Sequence, residues 1–215
     1  MTLKIIEKQL AYNKSPRKVK PTYIVIHDTG NKNKGADAKN HFDYFNGGNR
    51  GASADFFVDD KQIIRANDFR FYYTWHCGDG KGKYGITNEN SIGIEICVNS
   101  DGDYKKAVEN AILLTRQLMA DLGISIKNVV RHYDASRKNC PASMNDKAWA
   151  DFKERVGSVS KFKDIKNHYA ENHIKKLEDY GIINGDGQGN FNPDQPLTRG
   201  DGAIMIANAL NVLGK

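Results

Sequence analysis

The chain has 215 residues, enough for one well-packed domain of about 150 residues and a smaller second module. Its 39% hydrophobic and 27% charged residues place it among soluble globular chains, and no apolar run approaches the ~20 residues of a membrane span. The net charge is +6; residues 162–215 carry six basic and seven acidic side chains, so an excess of about +7 falls in the first 161, which reads first as solvated lysines serving solubility and second as a surface that attracts polyanions, nucleic acid or the anionic polymers of a bacterial wall.

At the N-terminus, Glu7 and Lys8 interrupt the short apolar start, which predicts no secretory signal and synthesis in the cytoplasm. Extracellular action would then need another exit route. Cys77, Cys97 and Cys140 cannot all pair within one chain, so at least one thiol is free or metal-bound.

The first clear element is Tyr23-Ile24-Val25-Ile26, a β-branched run after Pro21 that predicts a buried strand ending on His27. His41 with Phe42, Tyr44 and Phe45 reads as one face of a helix. In 91–98, Ile92, Ile94, Ile96 and Val98 alternate with Gly93, Glu95 and Cys97, which puts Glu95 on the face opposite the isoleucines beside small neighbours. From Asp103 to Leu122, Val108, Ala111, Ile112, Thr115, Leu118 and Met119 keep a 3.6-residue spacing, and Gly123 ends the helix. A strand over Ile126–Val130 then delivers His132 just past its end, and Ser143 to Asp146 reads as a capping box for a helix through Trp149, Phe152 and Val156. The small polar stretch 157–161 predicts a linker between a domain over 1–156 and a module over 162–215.

A zinc hydrolase needs three protein ligands and an open fourth position. His132 and Cys140, eight residues apart, with His27 on a neighbouring strand, meet that count. The spacing fits no short zinc-finger pattern, so on residues alone His27 also reads as a satisfied polar side chain and Cys140 as a small buried hydrophobe.

Taken in order, Tyr23-Ile-Val-Ile-His27, Trp75-His76, Asn90-Ser-Ile-Gly-Ile-Glu95, Arg131-His132-Tyr-Asp134 and Lys138-Asn-Cys140-Pro141 resemble the N-acetylmuramoyl-L-alanine amidase family. That family includes phage lysins and is related to peptidoglycan recognition proteins. The resemblance covers about residues 20–156 and implies an α/β fold: a mixed β-sheet flanked by helices, with a zinc-site groove. It implies cleavage of the amide between the lactyl group of N-acetylmuramic acid and L-alanine in peptidoglycan. By position, it makes His27, His132 and Cys140 the Zn2+ ligands, Glu95 the carboxylate that relays a proton, and Lys138 the cation beside the metal. Thr29 and His76 fall inside the motifs as candidates for binding the glycopeptide or orienting a ligand, and Asp134 shares that position. One departure is Ala54, which stands where some relatives carry a tyrosine, so more of the proton work falls to Glu95. Two other readings are a non-catalytic peptidoglycan-binding protein, whose members usually lose the cysteine ligand, and a cysteine peptidase built on Cys140 and His132.

The tail, from Phe162 through Asn184-Gly-Asp-Gly-Gln-Gly-Asn-Phe-Asn-Pro193 to Leu197-Thr198-Arg199-Gly200-Asp201, resembles one S-layer homology module, with Tyr169 in place of the usual tryptophan. This implies a small, mainly helical module that binds an anionic secondary cell-wall polymer. Thr198 and Asp201 are spaced as a capping box, and Arg199 at that helix start suits an anionic glycan. Such modules commonly come in threes, so one copy predicts self-association through the tails. Asn184, Asp186 and Gln188 offer a rival calcium loop, although its twelfth position is Gln195 rather than a bidentate glutamate. The two resemblances together predict a phage-type lysin that acts on the cell wall after release, with peptidoglycan rather than nucleic acid as partner.

Overall fold

The β-branched runs form the centre of the sheet. In the computed structural model, which describes residues 5–157, 160 and 162–213, strands are β1 (Ile5–Glu7), β2 (Lys14–Pro16), β3 (Tyr23–Asp28), β4 (Phe56–Val58), β5 (Ile63–Arg65), β6 (Tyr72–Thr74), β7 (Ser91–Ile96) and β8 (Val129–Arg131). Six of them form one mixed sheet in the order β1-β5-β4-β7-β3-β8, antiparallel only at β4/β5, while β2 and β6 pair separately. The helices are α1 (Ala38–Asn46), α2 (Tyr104–Leu122), α3 (His132–Ser136), α4 (Asp146–Gly157), α5 (Glu171–Asp179) and α6 (Arg199–Val212). None is long and apolar enough to cross a membrane among the described residues.

The alternation in β7 sorts the two faces of the sheet. Ile92, Ile94 and Ile96, with Ile24, Ile26, Phe56 and Val58, pack against Ala111, Ile112, Leu114 and Leu118 of α2 and Phe152 and Val156 of α4. Full burial of each such large side chain contributes about 1.5–3 kcal/mol, which makes this layer the main source of stability. On the other face the apolar contacts divide into two smaller groups. One joins Phe57, Ile64, Ala54 and Cys97 to Phe42 of α1; the other joins Val25, Cys77 and Ile86 to Ala135 of α3. His27 and Glu95 project on this second face, and Ala54 is fully buried within the α1 group.

Three local expectations need correction. The segment Ile126–Asn128 is a 3₁₀ turn, and the strand begins only at Val129. The start of α4 is served by Asn145, whose Oδ1 accepts the Ala148 amide at 2.9 Å, because the Ser143 amide is already bound to Asp28 Oδ2 at 2.6 Å. Tyr44 is 54% exposed, so α1 buries Phe42 but not the whole aromatic set. Helix α2 starts on Asp103, whose side chain accepts the Lys106 amide, and stops at Gly123 with φ 68°.

Contacts divide the chain into two compact units that meet between Gly157 and Ser158. The C-terminal unit has its own small core of Phe162, Ile165, Ile174 and Ile183. Thr198 caps α6 by accepting the Asp201 amide at 3.1 Å, but the Asp201 carboxylate returns to the Thr198 hydroxyl at 2.6 Å rather than to its backbone. In the glycine-rich turn, Asp186 Oδ1 accepts the amides of Gln188 and Asn190, at 2.8 and 3.0 Å, and Oδ2 accepts Asn190 Nδ2 at 2.8 Å. The loop thus satisfies its own carboxylate, which leaves little for a calcium ion.

Candidate metal centre

Parallel pairing brings the site residues level with one another. On β3 and β7 the register sets His27 beside Glu95, and on β3 and β8 the last pair is Ile26 with Arg131, so His132 begins α3 one step beyond. The His27 and His132 rings have centroids 4.6 Å apart. Cys140 comes from the loop after α3, held by the Tyr133 amide, which donates to the Cys140 carbonyl at 3.0 Å. The nitrogen and sulfur atoms that His27, His132 and Cys140 offer all lie within 4.8 Å of one another, and among the described residues no other such group of histidine, cysteine or carboxylate ligands occurs.

Hydrogen bonds show which atoms face inward. Cys140 Sγ is 3.7 Å from His27 Nδ1, close to the ~3.6 Å between tetrahedral ligands of zinc with ordinary Zn–N and Zn–S lengths. His27 Nε2 is engaged with His76 Nδ1 at 3.1 Å, and His132 Nε2 with Asp79 Oδ1 at 2.7 Å. His132 Nδ1 is buried without a hydrogen-bond partner, as is Glu95 Oε2. Buried polar atoms are rarely left unpaired, so two such atoms around a His/His/Cys set fit a cation held there. Asp79 is brought to His132 by Gly80: a Cβ on Gly80 would stand 2.2 Å from the Ala135 carbonyl oxygen, so only glycine lets this turn approach α3. Ser136 Oγ donates to Asp79 Oδ2 at 3.1 Å.

The electrostatics follow from burial. Desolvation lowers His27 well below the usual imidazole range and lowers His132, while His76 falls to about 3. Glu95 is pushed up to about 8 by burial and then by Asp28, against the opposing pull of Lys138. Cys140 is raised to about 12, also chiefly by burial. Lys138 itself is exposed and acts on His27, Glu95 and Cys140 through its charge. Thr29 Oγ1 lies buried without a partner just past the end of β3. Asp134 accepts the Arg131 amide at 2.8 Å and so serves the start of α3. His76 is only 8% exposed and lies against β7 behind His27, not on an open surface. Asp79 was missed by sequence reasoning; it sits in a glycine-rich turn without periodicity, and its only sequence signal is its nearness to Trp75-His76.

Two predictions arise from this packing. A Cβ at Gly93 would meet His76 Cγ at 2.6 Å, so Gly93→Ala is expected to destabilise the fold by roughly 1–3 kcal/mol, read as a lower urea midpoint. An unchanged midpoint would show that His76 can move aside. The second concerns acid. Because His76 stays neutral in the fold down to about pH 3, whereas an unfolded histidine titrates near 6.5, the unfolded chain holds the extra proton between those values. Stability of the metal-free protein therefore falls as pH drops below 6.5, by about 1.4 kcal/mol per pH unit for each such histidine. Urea midpoints between pH 7 and 5 test this: His76→Gln should flatten the slope, and an identical slope would refute it.

A mixed α/β domain with a buried His/His/Cys centre and a carboxylate one strand away is the architecture of a zinc-type hydrolase. The chain belongs to the N-acetylmuramoyl-L-alanine amidase family, whose model matches residues 17–143; a second model, the S-layer homology domain, matches residues 161–201. It is 42% identical over 147 residues to the N-acetylmuramoyl-L-alanine amidase XlyA of Bacillus subtilis (strain 168), a match covering 68% of this chain and 48% of that protein. It is 30% identical over 229 residues to the N-acetylmuramoyl-L-alanine amidase CwlA of the same organism, covering 99% of this chain and 80% of that one. The solved catalytic domain of XlyA superposes with a TM-score of 0.65 at 40% identity, covering 72% of this chain and all of that domain. The chain thus spans about half the length of XlyA.

Proposed function

We propose that this chain hydrolyses the amide between N-acetylmuramic acid and L-alanine in peptidoglycan, as a phage-type lysin with Zn2+ held by His27, His132 and Cys140. The observation that carries the reading is the inward-facing set of His27 Nδ1, the unpartnered His132 Nδ1 and Cys140 Sγ beside the unpartnered Glu95 Oε2. When bound, zinc supplies a Lewis acid for the scissile carbonyl and lowers the pKa of water to about 7. Glu95 takes up the proton of the attacking water and returns it to the departing amine of alanine. Lys138 places a positive charge where negative charge gathers on the carbonyl oxygen. Thr29 remains a candidate for binding the glycopeptide, since its buried hydroxyl has no hydrogen-bond partner in the fold. Support for the substrate class comes from membership of the amidase family and from the similarity to XlyA and CwlA.

Two other readings fare worse. A cysteine peptidase needs a thiolate, but burial holds the Cys140 thiol up at about 12. A non-catalytic binding protein needs no complete ligand set, and here the set is complete. The deciding experiment incubates purified walls with the protein, with and without chelator, and counts new amino groups against reducing sugar ends. Amino groups without sugar ends, abolished by chelation and restored by zinc, are expected. No release under any condition would leave only wall binding, and release untouched by chelator would point to Cys140 as nucleophile.

We further propose that 1–156 is the catalytic domain, 157–161 a linker and 162–215 a module for an anionic wall polymer, with Arg199 as a contact. Arg199 stands exposed as the first residue of α6. In the same unit Leu197, Ile204, Ile206, Leu210 and Leu213 are 43–64% exposed, an apolar surface large for so small a module and suited to a second copy. Light scattering is expected to show concentration-dependent association that weakens in Ile206→Lys. A strict monomer that still binds walls would defeat this part of the proposal.

A further inference from the structure

His76 stands outside the ligand set, and the hydrogen bonds around it have a fixed direction. The Ser91 hydroxyl bonds to the Thr87 carbonyl, which can only accept, so the single hydroxyl proton lies there. Towards His76 Nε2, 3.1 Å away, Ser91 Oγ then acts as acceptor, and Nε2 must carry the hydrogen. The Cys77 thiol, 3.8 Å from the same oxygen, takes its second lone pair. His76 is 8% exposed, and its ring nitrogens face only a hydroxyl and another imidazole, an environment that holds it neutral. With its hydrogen on Nε2, its Nδ1 is bare and accepts from His27 Nε2 at 3.1 Å. His27, 1% exposed, is neutral for the same reason, which leaves its Nδ1 as a lone pair turned towards Cys140 Sγ.

We propose that Ser91 and His76 are positioning residues of the metal site: a one-way hydrogen-bond chain from His27 through His76 and Ser91 to the Thr87 carbonyl fixes the His27 tautomer that leaves Nδ1 free for a cation. The inference rests on the reading of His27 as a ligand. Of the two roles expected of His76, binding the glycopeptide or orienting a ligand, it takes the second, because the ring is enclosed between His27, Ser91 and the Cα of Gly93. The adjacent segment is fixed as well: Asn88 Oδ1 accepts the amides of both His76 and Cys77, at 3.0 and 2.7 Å. The two ligand histidines are therefore held by unlike means. His132 gives its Nε2 hydrogen to the half-exposed carboxylate of Asp79, whereas His27 relies on a neutral, buried chain.

Loss of the Ser91 hydroxyl reverses the chain. In Ser91→Ala, a hydrogen on His76 Nε2 would face the interior without an acceptor, so the ring shifts its hydrogen to Nδ1 and donates to His27 Nε2. The His27 hydrogen is then on Nδ1, the atom a metal needs. Two measurements follow on the full chain. Nitrogen NMR of the metal-free protein should show His27 protonated on Nε2 in wild type and shifted towards Nδ1 in Ser91→Ala. Competition with a chromophoric chelator should show zinc affinity about 10–100-fold weaker in Ser91→Ala, as expected when an outer-shell partner is lost. Ser91→Thr, which keeps the hydroxyl, should restore both, an outcome that simple loss of packing does not produce. Wild-type His27 protonated on Nδ1, or Ser91→Ala with unchanged zinc affinity and tautomer, would overturn the proposal. If instead the wild-type zinc affinity is the same in His27→Ala, it is the ligand reading that fails, and the metal-free spectrum of the wild type still decides the direction of the chain.

Discussion

Glu95→Gln is expected to lower amide release from walls by roughly 10²–10⁴-fold, the usual contribution of a positioned general acid–base group, while zinc affinity stays within a few-fold of wild type. The separation of the two effects comes from geometry. Glu95 Oε1 lies 4.0 Å from His27 Nδ1, near enough to serve groups bound at the cluster, and Glu95 is not one of its three ligands. Its Oε2 has no partner in the fold, so the carboxamide of glutamine disturbs no existing hydrogen bond at that atom. Burial raises this carboxyl to about 8 in the metal-free protein, and a nearby cation favours its charged form, which brings the group towards the range useful for proton transfer at neutral pH. The check is a pair of assays on one preparation: amino-group release from walls, and zinc competition. Full activity would remove Glu95 from the reaction, and a matching loss of zinc would make it a ligand instead.

The second large effect is at Cys140. Cys140→Ser should weaken zinc binding by more than the roughly 10–100-fold that loss of an outer partner costs, and with it abolish activity at trace zinc. Cys140 is 8% exposed, and its sulfur faces His27 Nδ1, so the shorter, harder hydroxyl both loses reach and offers a poorer ligand. Zinc should raise the unfolding temperature of wild type, since a ligand that binds only the folded state stabilises it by mass action. The variant should show a much smaller rise at the same zinc concentration. An equal rise in both would place the metal elsewhere.

The strands β3 and β7 and the helices α2 and α4 were legible because they depend on local pattern, whereas the three-residue strands β1, β2, β4, β5 and β6 are too short to show one. Ile92, Ile94 and Ile96 announce β7, and the 3.6-residue pattern ending at Gly123 announces α2. What periodicity cannot reach is the pairing between strands distant in sequence. That Glu95 stands beside His27 depends on a parallel register across 68 positions of chain, and only the family resemblance linked them beforehand. Local misreadings had tertiary causes: Ser143 looks like a helix cap until its amide is seen bound to Asp28, and Ile126 looks like a strand residue until the chain turns there. Asp79 was signalled only by its nearness to Trp75-His76 and Ser91 only by its place in the Asn90–Glu95 motif, since a turn aspartate and a strand serine acquire roles only through what folds against them.

The pairing of Glu95 with His27 means that the proposed proton acceptor and one of the proposed metal ligands are fixed by the backbone ladder itself, on neighbouring strands about 4.8 Å apart, while His132 follows one step past the end of the β3/β8 ladder. A slip of β7 by one residue would turn Glu95 into the isoleucine layer and bring an isoleucine beside His27, so a misregistered β7 takes the carboxylate away from the His27, His132 and Cys140 set. Transplanting this chemistry to another scaffold would accordingly require three adjacent parallel strands in correct phase, corresponding to β7, β3 and β8, with a loop to bring in the cysteine.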